Sequence, residues 1–297
     1  MAIGYVLYNE KAGNEDSREN VKNLDVILSG DVKFLDVTQI TNYHVFLSGL
    51  AKEDYIVLAG GDGTLNCFAN NTEGIEFDNE VFYYPNGTGN DFAHDLGHAK
   101  ECIPFPITAH LKNLPVVTVN GKSYRFINGV GYGIDGYCCE VGDELKKIPG
   151  KKINYSSIAI KGLLFHYKPT NAKVTVDGKS STYKKVWIAP TMNGRFYGGG
   201  MMPTPNQVRN SETVSTMLLY GSGKLKTLLM FPSLFKGEHL KYKKHVELLT
   251  GREVTVEFDR PVALQIDGET ILNVSSYSVR SCVPSVTAET VSEKASV

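Results

Sequence analysis

The sequence predicts an α/β protein with two domains: an N-terminal α/β domain built on a mostly parallel sheet, and a C-terminal, mainly antiparallel β-sandwich domain. In the first third of the chain, short apolar runs alternate with helical patterns, which is typical of strand–helix–strand units. After about residue 110, strand-like runs follow one another, separated by the turn dipeptides Asn120-Gly121, Asp177-Gly178 and Asp267-Gly268. This change of pattern predicts domains at 1–110 and 111–285.

The N-terminal domain is predicted to be Rossmann-like. One of its runs, Tyr55–Ala59, is apolar without alternation, as expected of a strand that is covered on both faces. A helix with one apolar side follows the first strand; Asp16 or Ser17 would cap it and Gly30 would end it. Ligands bind at the carboxyl ends of parallel strands, so the loops after the strands are candidate sites. The predicted strands are Ile3–Leu7, Val32–Val37, Tyr55–Ala59 and Val81–Tyr84.

The C-terminal domain is predicted to contain eight strands and two helices. The helices are expected at Ile153–His166 and Lys224–Phe235. The tail, 286–297, is expected either to pack on the first domain or to be disordered. The predicted strands are Pro115–Val119, Tyr124–Asn128, Ala172–Val176, Lys184–Ala189, Val214–Tyr220, Val254–Phe258, Val262–Ile266 and Tyr277–Val283.

Composition narrows the class of protein. The 297 residues carry a formal net charge of -1, so the overall charge does not indicate nucleic acid as a partner. Five irregularly spaced cysteines without a C-x-x-C pair indicate a reduced, cytoplasmic protein. The N-terminus lacks the segments of a signal peptide, and no apolar run approaches the ~18–20 residues of a spanning helix. Contact with lipid is therefore expected from outside the bilayer, at the inner membrane face. The oligomeric state is left open, a homodimer included.

The stretch 58–66, Leu-Ala-Gly-Gly-Asp-Gly-Thr-Leu-Asn, is the most informative part of the sequence. A buried strand runs into Gly60, Gly61 and Gly63, and a helical pattern then begins. Glycines let backbone N–H groups approach an anion closely, and a helix N-terminus adds donors and a positive dipole end. Asp62 would repel a bare phosphate, but it fits a site where it holds Mg²⁺ or accepts a proton from an attacking hydroxyl. A tight structural turn is the alternative interpretation.

Two further loops belong at the same edge of the predicted sheet. The stretch 85–93, Pro-Asn-Gly-Thr-Gly-Asn-Asp-Phe-Ala, follows the fourth strand. Asn90 or Asp91 within it could simply cap the next helix. The stretch 8–14 follows the first strand. Three polar, glycine-bearing loops at one edge favour a nucleotide cleft over three unrelated turns.

These motifs, taken in order, resemble those of the diacylglycerol kinase catalytic family, which includes bacterial diacylglycerol kinases, YegS-type lipid kinases and sphingosine kinases. The likeness begins with Gly60-Gly61-Asp62-Gly63-Thr64 and the loop at 85–93. It covers nearly the whole chain, and the ordered set is specific although each motif alone is weak. The later matching stretches are Phe126–Asp135, Tyr197–Met201, Lys236–His239 and Ile266–Glu269.

The resemblance implies an ATP-dependent lipid kinase of phospholipid biosynthesis, with a diacylglycerol-like acceptor, Mg²⁺, and ATP bound between the two domains. Glu269 lies where the family places a catalytic carboxylate, and Asp62 is the competing candidate for the hydroxyl proton. A plain hairpin turn with an exposed glutamate is the alternative interpretation of Asp267-Gly268-Glu269. Asp62 is also the implied ligand of the nucleotide-bound Mg²⁺. The implied ATP-binding residues are Asn9, Gly60, Gly61, Asp62, Gly63, Thr64, Asn66, Gly87, Thr88 and Asn90.

Two departures from the family pattern bear on these implications. Glu10 replaces the proline that usually follows the first asparagine, which puts an acid close to the expected phosphate site. Family members often carry an Asp-Asp-Gly-like stretch that helps to bind a structural Mg²⁺, but here the matching stretch 208–213 reads Val-Arg-Asn-Ser-Glu-Thr. Two alternatives therefore stay open: an NAD kinase-like enzyme, which shares the Gly-Gly-Asp-Gly loop, and a lipid- or nucleotide-binding homologue with impaired catalysis.

Overall fold

The computed structural model describes residues 2–10, 21–28, 30–87, 89–98, 103–148 and 153–282. The predicted tail and the predicted caps at Asp16 and Ser17 lie outside these residues. The described chain forms a mostly parallel sheet from its N-terminal part and an antiparallel sheet from the remainder, which confirms the predicted fold class.

The first sheet and its helices come from the first 111 residues. The strands are β1 (Ile3–Tyr8), β2 (Asp31–Asp36), β3 (Tyr55–Gly60), β4 (Val81–Pro85) and β5 (Phe105–Pro106), and the helices are α1 (Leu24–Ile27), α2 (Tyr43–Ser48), α3 (Asp62–Asn71), α4 (Asp91–Asp95) and α5 (Thr108–Leu111). The strand order is β2-β1-β3-β4-β5, and only β5 runs antiparallel to its neighbour. Five of the six residues of β3 are buried, as its uninterrupted apolar run predicts.

The second sheet contains the remaining strands. They are β6 (Val116–Val119), β7 (Lys122–Arg125), β8 (Gly129–Tyr132), β9 (Thr170–Val176), β10 (Lys179–Val186), β11 (Thr191–Met192), β12 (Val214–Leu219), β13 (Val246–Gly251), β14 (Glu253–Ile266) and β15 (Glu269–Arg280). Their order is β13-β12-β11-β8-β14-β15-β6-β7, and β9 pairs with both β14 and β10. The three predicted turn dipeptides connect β6–β7, β9–β10 and β14–β15, and each has positive φ at both residues, as a two-residue hairpin turn requires.

The boundaries of β14 differ from the prediction. The runs Val254–Phe258 and Val262–Ile266 belong to the single strand β14, whose pairing with β15 shifts register between Glu257 and Val262. A bulge of this kind bends a strand without ending it. The polar residues between the two runs therefore do not end the strand, although their pattern predicts an end there.

The helices beside the second sheet also differ from the prediction. They are α6 (Ile134–Lys146), α7 (Tyr155–Lys161) with a π-helical turn at Gly162–His166, and α8 (Lys224–Met230) followed by 3₁₀ turns at Phe231–Leu234 and Glu238–Lys241. The sequence predicts only one helix before β9 and does not predict α6, because the glycine in the first turn of α6 is not typical of a helix. A Cβ atom on Gly136 would lie 1.9 Å from Ala263 O, so α6 packs on β14 at a distance that only glycine allows. None of the described helices is both long enough and apolar enough to cross a bilayer.

Hydrogen bonds from α3 connect the first sheet to the segment that leads into β8. Asn70 on α3 accepts a hydrogen bond from Arg125 N at 2.8 Å and donates to Arg125 O at 2.9 Å. This pair of bonds satisfies both backbone groups of a residue that ends β7. The carboxyl edge of the first sheet therefore faces the start of β8. The candidate site described next lies between these two parts of the chain.

Candidate active site

Two glycine-bearing loops meet at the carboxyl edge of the first sheet. Gly60 at the end of β3 pairs with Pro85 at the end of β4, so the loops that follow start side by side. A Cβ atom on Gly87 would lie 2.4 Å from Gly61 Cα, and hence only glycine fits at position 87. The two loops are thus in backbone contact, which their sequences alone do not reveal.

The loop after β1 opens at the same edge. Asn9 follows Tyr8, and the pairing of β1 with β3 brings Asn9 level with Gly60. The acid that departs from the family pattern, Glu10, is exposed and accepts a hydrogen bond from the Tyr8 hydroxyl at 3.3 Å. Residues 11–14 of this loop lie outside the described residues.

Asn90 closes the second loop on itself. Its Oδ1 accepts from Gly87 N at 2.9 Å, and its Nδ2 donates to Gly87 O at 2.9 Å. Its backbone has φ 52°, a left-handed conformation that asparagine adopts more readily than most residues. The Asn90 side chain therefore shapes the loop, while Thr88, which was predicted to bind ATP, lies outside the described residues.

Asp62 is the first residue of α3, and three donors hold its carboxylate. Oδ2 accepts from Asp91 N at 2.9 Å, and Oδ1 accepts from Phe92 N and from Asn128 Nδ2, both at 3.0 Å. The two backbone donors form the N-terminus of α4, so Asp62 caps the neighbouring helix. Because a carboxylate offers about four lone-pair positions, Asp62 keeps the capacity for one more donor or for a cation.

Asp91 connects the second loop to the antiparallel sheet. Its Oδ2 accepts from Gly199 N at 2.8 Å and its Oδ1 from Gly200 N at 2.7 Å. Burial, together with the nearby charge of Asp62, raises the pKa of Asp91 to about 6. The sequence suggested only a helix cap here, whereas the side chain fixes the glycine triplet at 198–200.

The turn between β14 and β15 fixes the backbone around Asn128, the residue that precedes β8. Asp267 accepts hydrogen bonds from the backbone N–H groups of Ile127, Asn128 and Gly129. Burial raises the pKa of Asp267, and these donors oppose the shift. The aspartate of the Asp-Gly-Glu turn thus orients the segment whose side chain reaches Asp62.

Two of the residues predicted to bind ATP face the protein interior. Thr64 is buried against Gly60. Asn66 is also buried, and its Nδ2 donates to Asp267 Oδ2 at 2.8 Å. Gly63, in contrast, is exposed, and nothing lies within 4 Å of the position that its Cβ would occupy. The open face of the loop is therefore at Gly63 and at the first turn of α3.

A buried guanidinium lies where the family's acidic stretch was expected. Arg209 Nη2 donates to Asp95 Oδ2 at 2.7 Å and to Asn128 Oδ1 at 2.9 Å, and its plane lies over the Phe92 ring, 4.8 Å from the centroid. Arg195 also binds Asp95, at 2.7 Å. Asp95 and Phe92 belong to α4 and the two arginines to the other domain, so this cluster joins the domains and orients Asn128.

A cleft of about 590 Å³ opens beside these groups. At one end it is polar and lined by the glycine loops, Asp62, Asp91 and Asn128. At the other end it enters the helical layer beside the second sheet. The apolar lining there consists of Ile134, Cys138, Ala159, Ile188, Met201, Phe231 and Phe235, with Cys139 and Tyr155 beside them.

Asp135 is a buried acid in the wall of this cleft. Tyr197 donates its hydroxyl hydrogen to Asp135 Oδ2 at 2.6 Å, and no described residue donates a hydrogen bond to Asp135 Oδ1. Burial raises the pKa of Asp135 to about 7 and raises the pKa of Tyr197 well above its usual range. A buried acid with an unpartnered oxygen and a raised pKa, in the wall of a cleft, is a candidate functional residue.

Glu269 lies at the rim of the cleft. It is exposed and begins β15, directly after Gly268, which lines the cleft. Its charge contributes to the raised pKa of Lys146, which is mainly due to the 2.8 Å ion pair between Lys146 and Asp143. The two candidate catalytic acids therefore differ in setting: Asp62 is held by three donors inside the cleft, and Glu269 is at its edge.

The donor set suits Mg²⁺ that arrives with a nucleotide. Within the described ranges, no group of three or more His, Cys, Asp or Glu side chains could hold a metal. Mg²⁺ usually binds to one or two carboxylates together with substrate phosphates and water. Asp62 retains a lone-pair position for one such bond, so the residues fit an ion that is shared with a polyphosphate.

Sequence reasoning did not assign roles to several of the residues that build the site. Asp135 and Asn128 lie within the matching stretch Phe126–Asp135, but nothing in that stretch distinguishes a buried acid from a surface one. Arg209 stood out only as part of the stretch 208–213, which replaces the Asp-Asp-Gly-like pattern of the family. A signal was present for Asp267, because an aspartate before glycine in a hairpin can bond backbone N–H groups.

Comparisons with known proteins agree with this architecture. A diacylglycerol kinase catalytic domain matches residues 4–116, and a YegS C-terminal NAD kinase beta sandwich-like domain matches residues 128–288. The chain is 24% identical over 235 residues to the diacylglycerol kinase of Mycobacterium tuberculosis (strain CDC 1551 / Oshkosh), across 76% of this chain and 74% of that protein. Its fold is similar to the crystal structure of a diacylglycerol kinase from Bacillus anthracis str. Sterne, with a TM-score of 0.59, 18% identity, and coverage of 95% of this chain and 93% of that one.

Proposed function

The chain belongs to the diacylglycerol kinase catalytic-domain family, and from this premise we propose that it transfers the γ-phosphoryl group of ATP to the hydroxyl of a diacylglycerol-like lipid. Membership of this family makes the chain a phosphotransferase with an alcohol acceptor. The donor, the acceptor and the acting residues are what we propose. One observation carries the proposal: Asp62 lies in the wall of a cleft that has glycine loops at one end and apolar side chains at the other.

The first domain supplies the groups suited to the nucleotide phosphates. The N–H groups of Asp62 and Gly63 belong to the first turn of α3, where a helix offers donors that have no intrahelical partner. The absence of a side chain at Gly63 lets an anion come close to the backbone, while Gly87 lets the two loops touch. These features support a polyphosphate at this edge, and Mg²⁺ bound to it would neutralise charge that develops on the transferred group.

In the transfer step, the hydroxyl oxygen of the acceptor bonds to the γ-phosphorus, the bond to the β–γ bridging oxygen breaks, and ADP leaves. Catalysis of such a step is mostly positioning and electrostatic stabilisation. Asp62 serves the positioning, because donors from α4 and from Asn128 fix its carboxylate from two domains. The hydroxyl proton passes to a carboxylate, either Glu269 at the rim or Asp62 itself.

The second domain supplies the groups suited to the lipid. Its part of the cleft is lined mainly by apolar side chains, which suits acyl chains. Asp135 is an acid in the wall of this part of the cleft, and we assign the polar group of the acceptor to its side of the wall. An acceptor with both a polar head and an apolar chain would satisfy both features, whereas a dinucleotide would leave the apolar end unused.

Incubation with γ-labelled ATP and Mg²⁺ tests the proposal. The acceptors are diacylglycerol, a sphingoid base, phosphatidylglycerol and a prenol, each supplied in detergent micelles, with NAD as the control. We expect label in a lipid, with diacylglycerol the best acceptor. Label that appears only in NAD would assign the chain to the rival kinase class, and a complete lack of transfer would favour an impaired homologue.

A further inference from the structure

Gln265 is a buried glutamine whose amide is oriented by a backbone N–H group. It lies in β14 and is 4% exposed. Its Oε1 accepts a hydrogen bond from Gly268 N at 2.7 Å. Because a backbone N–H group can only donate, this bond identifies the oxygen of the amide. The nitrogen, with its two N–H donors, therefore lies on the side of the amide that faces away from Gly268.

The nitrogen of this amide faces the cleft without a partner. No described residue accepts a hydrogen bond from Gln265 Nε2. Gln265 lines the cleft and, in contrast to Asp135 Oδ1, its Nε2 is not closed off from solvent. Gln207, which is also buried, instead donates from Nε2 to Val208 O at 2.9 Å and to Thr213 O at 2.8 Å. Since buried amides are nearly always hydrogen-bonded, one that keeps its donors for a cleft is a candidate ligand contact.

A glycine leaves space beside this amide. Gly131 of β8 is the direct partner of Gln265 of β14 in the antiparallel ladder, so a side chain at 131 would share a face of the sheet with Gln265. A Cβ atom at 131 would collide with both Gln265 Nε2 and Asp135 Oδ2. The amide nitrogen and the Asp135 carboxylate therefore lie side by side, with no side chain from this position of β8 between them.

The order of residues along β14 matches the order of groups in an acyl lipid. After β14, Asp267 holds the backbone of Asn128 at the polar end of the cleft. Gln265 comes next, and Ala263 then contacts Gly136 of α6, the helix that supplies part of the apolar lining. Gln265 is thus placed between the groups proposed for transfer and those proposed for alkyl chains. In a diacylglycerol, an ester carbonyl likewise stands between the free hydroxyl and the alkyl chain.

We propose that Gln265 determines acceptor specificity, because its Nε2 donates to an acyl carbonyl next to the hydroxyl that is phosphorylated. The site then prefers a lipid whose chains are attached through an ester or an amide to one whose chains are attached through an ether. An acceptor without a carbonyl leaves a buried donor unpaired, and this disfavours its binding. The inference rests on the proposed function for the reacting hydroxyl, but recognition of the carbonyl needs neither nucleotide nor transfer.

Equilibrium dialysis of the full chain against tritiated short-chain lipids, in the absence of nucleotide, tests the recognition. The two ligands are dioctanoylglycerol and dioctylglycerol, the diether that keeps the hydroxyl and replaces each carbonyl by a methylene group. We expect the Kd of the diester to be lower by about tenfold or more, the scale for a donor that is left unpaired. Equal affinity of the wild-type protein for the two lipids, or binding of neither, would overturn the proposal without any variant.

Three variants assign the preference to the donor. Gln265→Met should bind the diester only as tightly as the diether. Gln207→Met is the matched control, because the Nε2 of that buried glutamine is bound within the protein, and it should keep the wild-type ratio of the two Kd values. Gly268→Ala strains the turn, since φ at this residue is 98°, and it should weaken both ligands alike. A ratio that survives in Gln265→Met, or that is lost equally in Gly268→Ala, would contradict a role for the Nε2 donor.

Two further measurements separate the source of the carbonyl and the kinase activity from this inference. A short-chain ceramide carries an amide carbonyl instead of an ester, and the lipid that loses more affinity in Gln265→Met is the one whose carbonyl is recognised. Transfer of label from ATP to the diester and the diether with the same kcat/KM would keep the proposed function and overturn the specificity role. A preference for the diester in dialysis without any transfer of label would keep the specificity role and overturn the proposed function.

Discussion

Asn128 Nδ2 donates to Asp62 Oδ1 at 3.0 Å, so a side chain of the second domain holds the acid at the centre of the first domain's loop. The contact is itself supported from both sides: Asp267 fixes the Asn128 backbone, and Arg209 donates to Asn128 Oδ1 at 2.9 Å. A rotation of one domain against the other would therefore displace Asp62 from its partners. The geometry of the site depends on the contact between the domains as much as on the glycine loops.

Asp62→Asn is expected to lower kcat by about a hundredfold or more, the scale for loss of a group that organises charge in a transfer site. The amide nitrogen takes the place of one carboxylate oxygen, so it cannot accept the hydrogen bonds which that oxygen accepted, and it cannot bind a cation. Radiolabel transfer at saturating ATP measures the effect. Asp54→Asn is the matched control: Asp54 is a buried acid of the same domain that accepts from Ile3 N and Ala51 N, remote from the cleft. An undiminished kcat for Asp62→Asn would contradict the proposed mechanism.

Arg209→Met is expected to cost about 2–4 kcal/mol of unfolding free energy, because it leaves Asp95 buried with only Arg195 as its ionic partner. Urea unfolding measures this loss. Since Arg209 also orients Asn128, the folded variant should lose kcat at saturating ATP. Arg252→Met is the control: it breaks an ion pair with Glu212 whose side chains are 64% and 51% exposed, and it should cost less than about 1 kcal/mol. Equal losses from the two variants would count against a buried, positioning role for Arg209.

The sequence was sufficient to predict features that depend on local pattern. The uninterrupted apolar run of β3 predicted a buried strand, and Asp267-Gly268 predicted a tight turn, because each follows from the preferences of neighbouring residues. The contacts of Asp62 could not be predicted in this way, since its partners lie 29 to 66 residues away in the chain. The helix α6 was missed for a similar reason: Gly136 lowers helix propensity locally, and only the approach of β14 explains it.

Glu269→Gln decides which of the two candidate acids, Glu269 or Asp62, accepts the hydroxyl proton. If Glu269 accepts the hydroxyl proton, this variant should lose about a hundredfold in kcat while keeping its stability, because the side chain is exposed. Glu257→Gln, which alters a partly exposed acid of the second sheet that is paired with Lys173, is the control. An unchanged kcat in Glu269→Gln would leave Asp62 as the proton acceptor.

Asp135 predicts a pH dependence of stability. Burial raises its pKa from an unfolded value near 3.8 to about 7, so the folded state binds a proton that the unfolded state releases. Its contribution is therefore fully present below pH about 4 and is lost as the pH rises through about 7. Asp135→Asn removes this titration, and the variant should gain stability relative to wild type between pH 5 and 8, by about 2–4 kcal/mol at most.

Thermal unfolding of both proteins across this pH range measures the difference for Asp135. Tyr197→Phe provides a second check, because the Tyr197 hydroxyl is the described donor to the Asp135 side chain and its loss should strengthen the pH dependence. A stability difference between wild type and Asp135→Asn that does not vary with pH would show that Asp135 is not protonated in the folded protein.

Gly63→Ala separates stability from function. Nothing lies within 4 Å of the new Cβ atom, and the position is the second residue of α3, so alanine should stabilise the helix by up to about 1 kcal/mol. The same methyl group would project into the space where we propose that phosphate approaches the backbone, and we expect the KM for ATP to rise about tenfold. Gly223→Ala is the control for the KM, because its Cβ also meets open space away from the loops; as the N-cap of α8 it should not gain stability from alanine. An alanine at 63 that raises the melting temperature and leaves the KM for ATP unchanged would place the polyphosphate elsewhere, since no anion in contact with that turn could avoid the added methyl group.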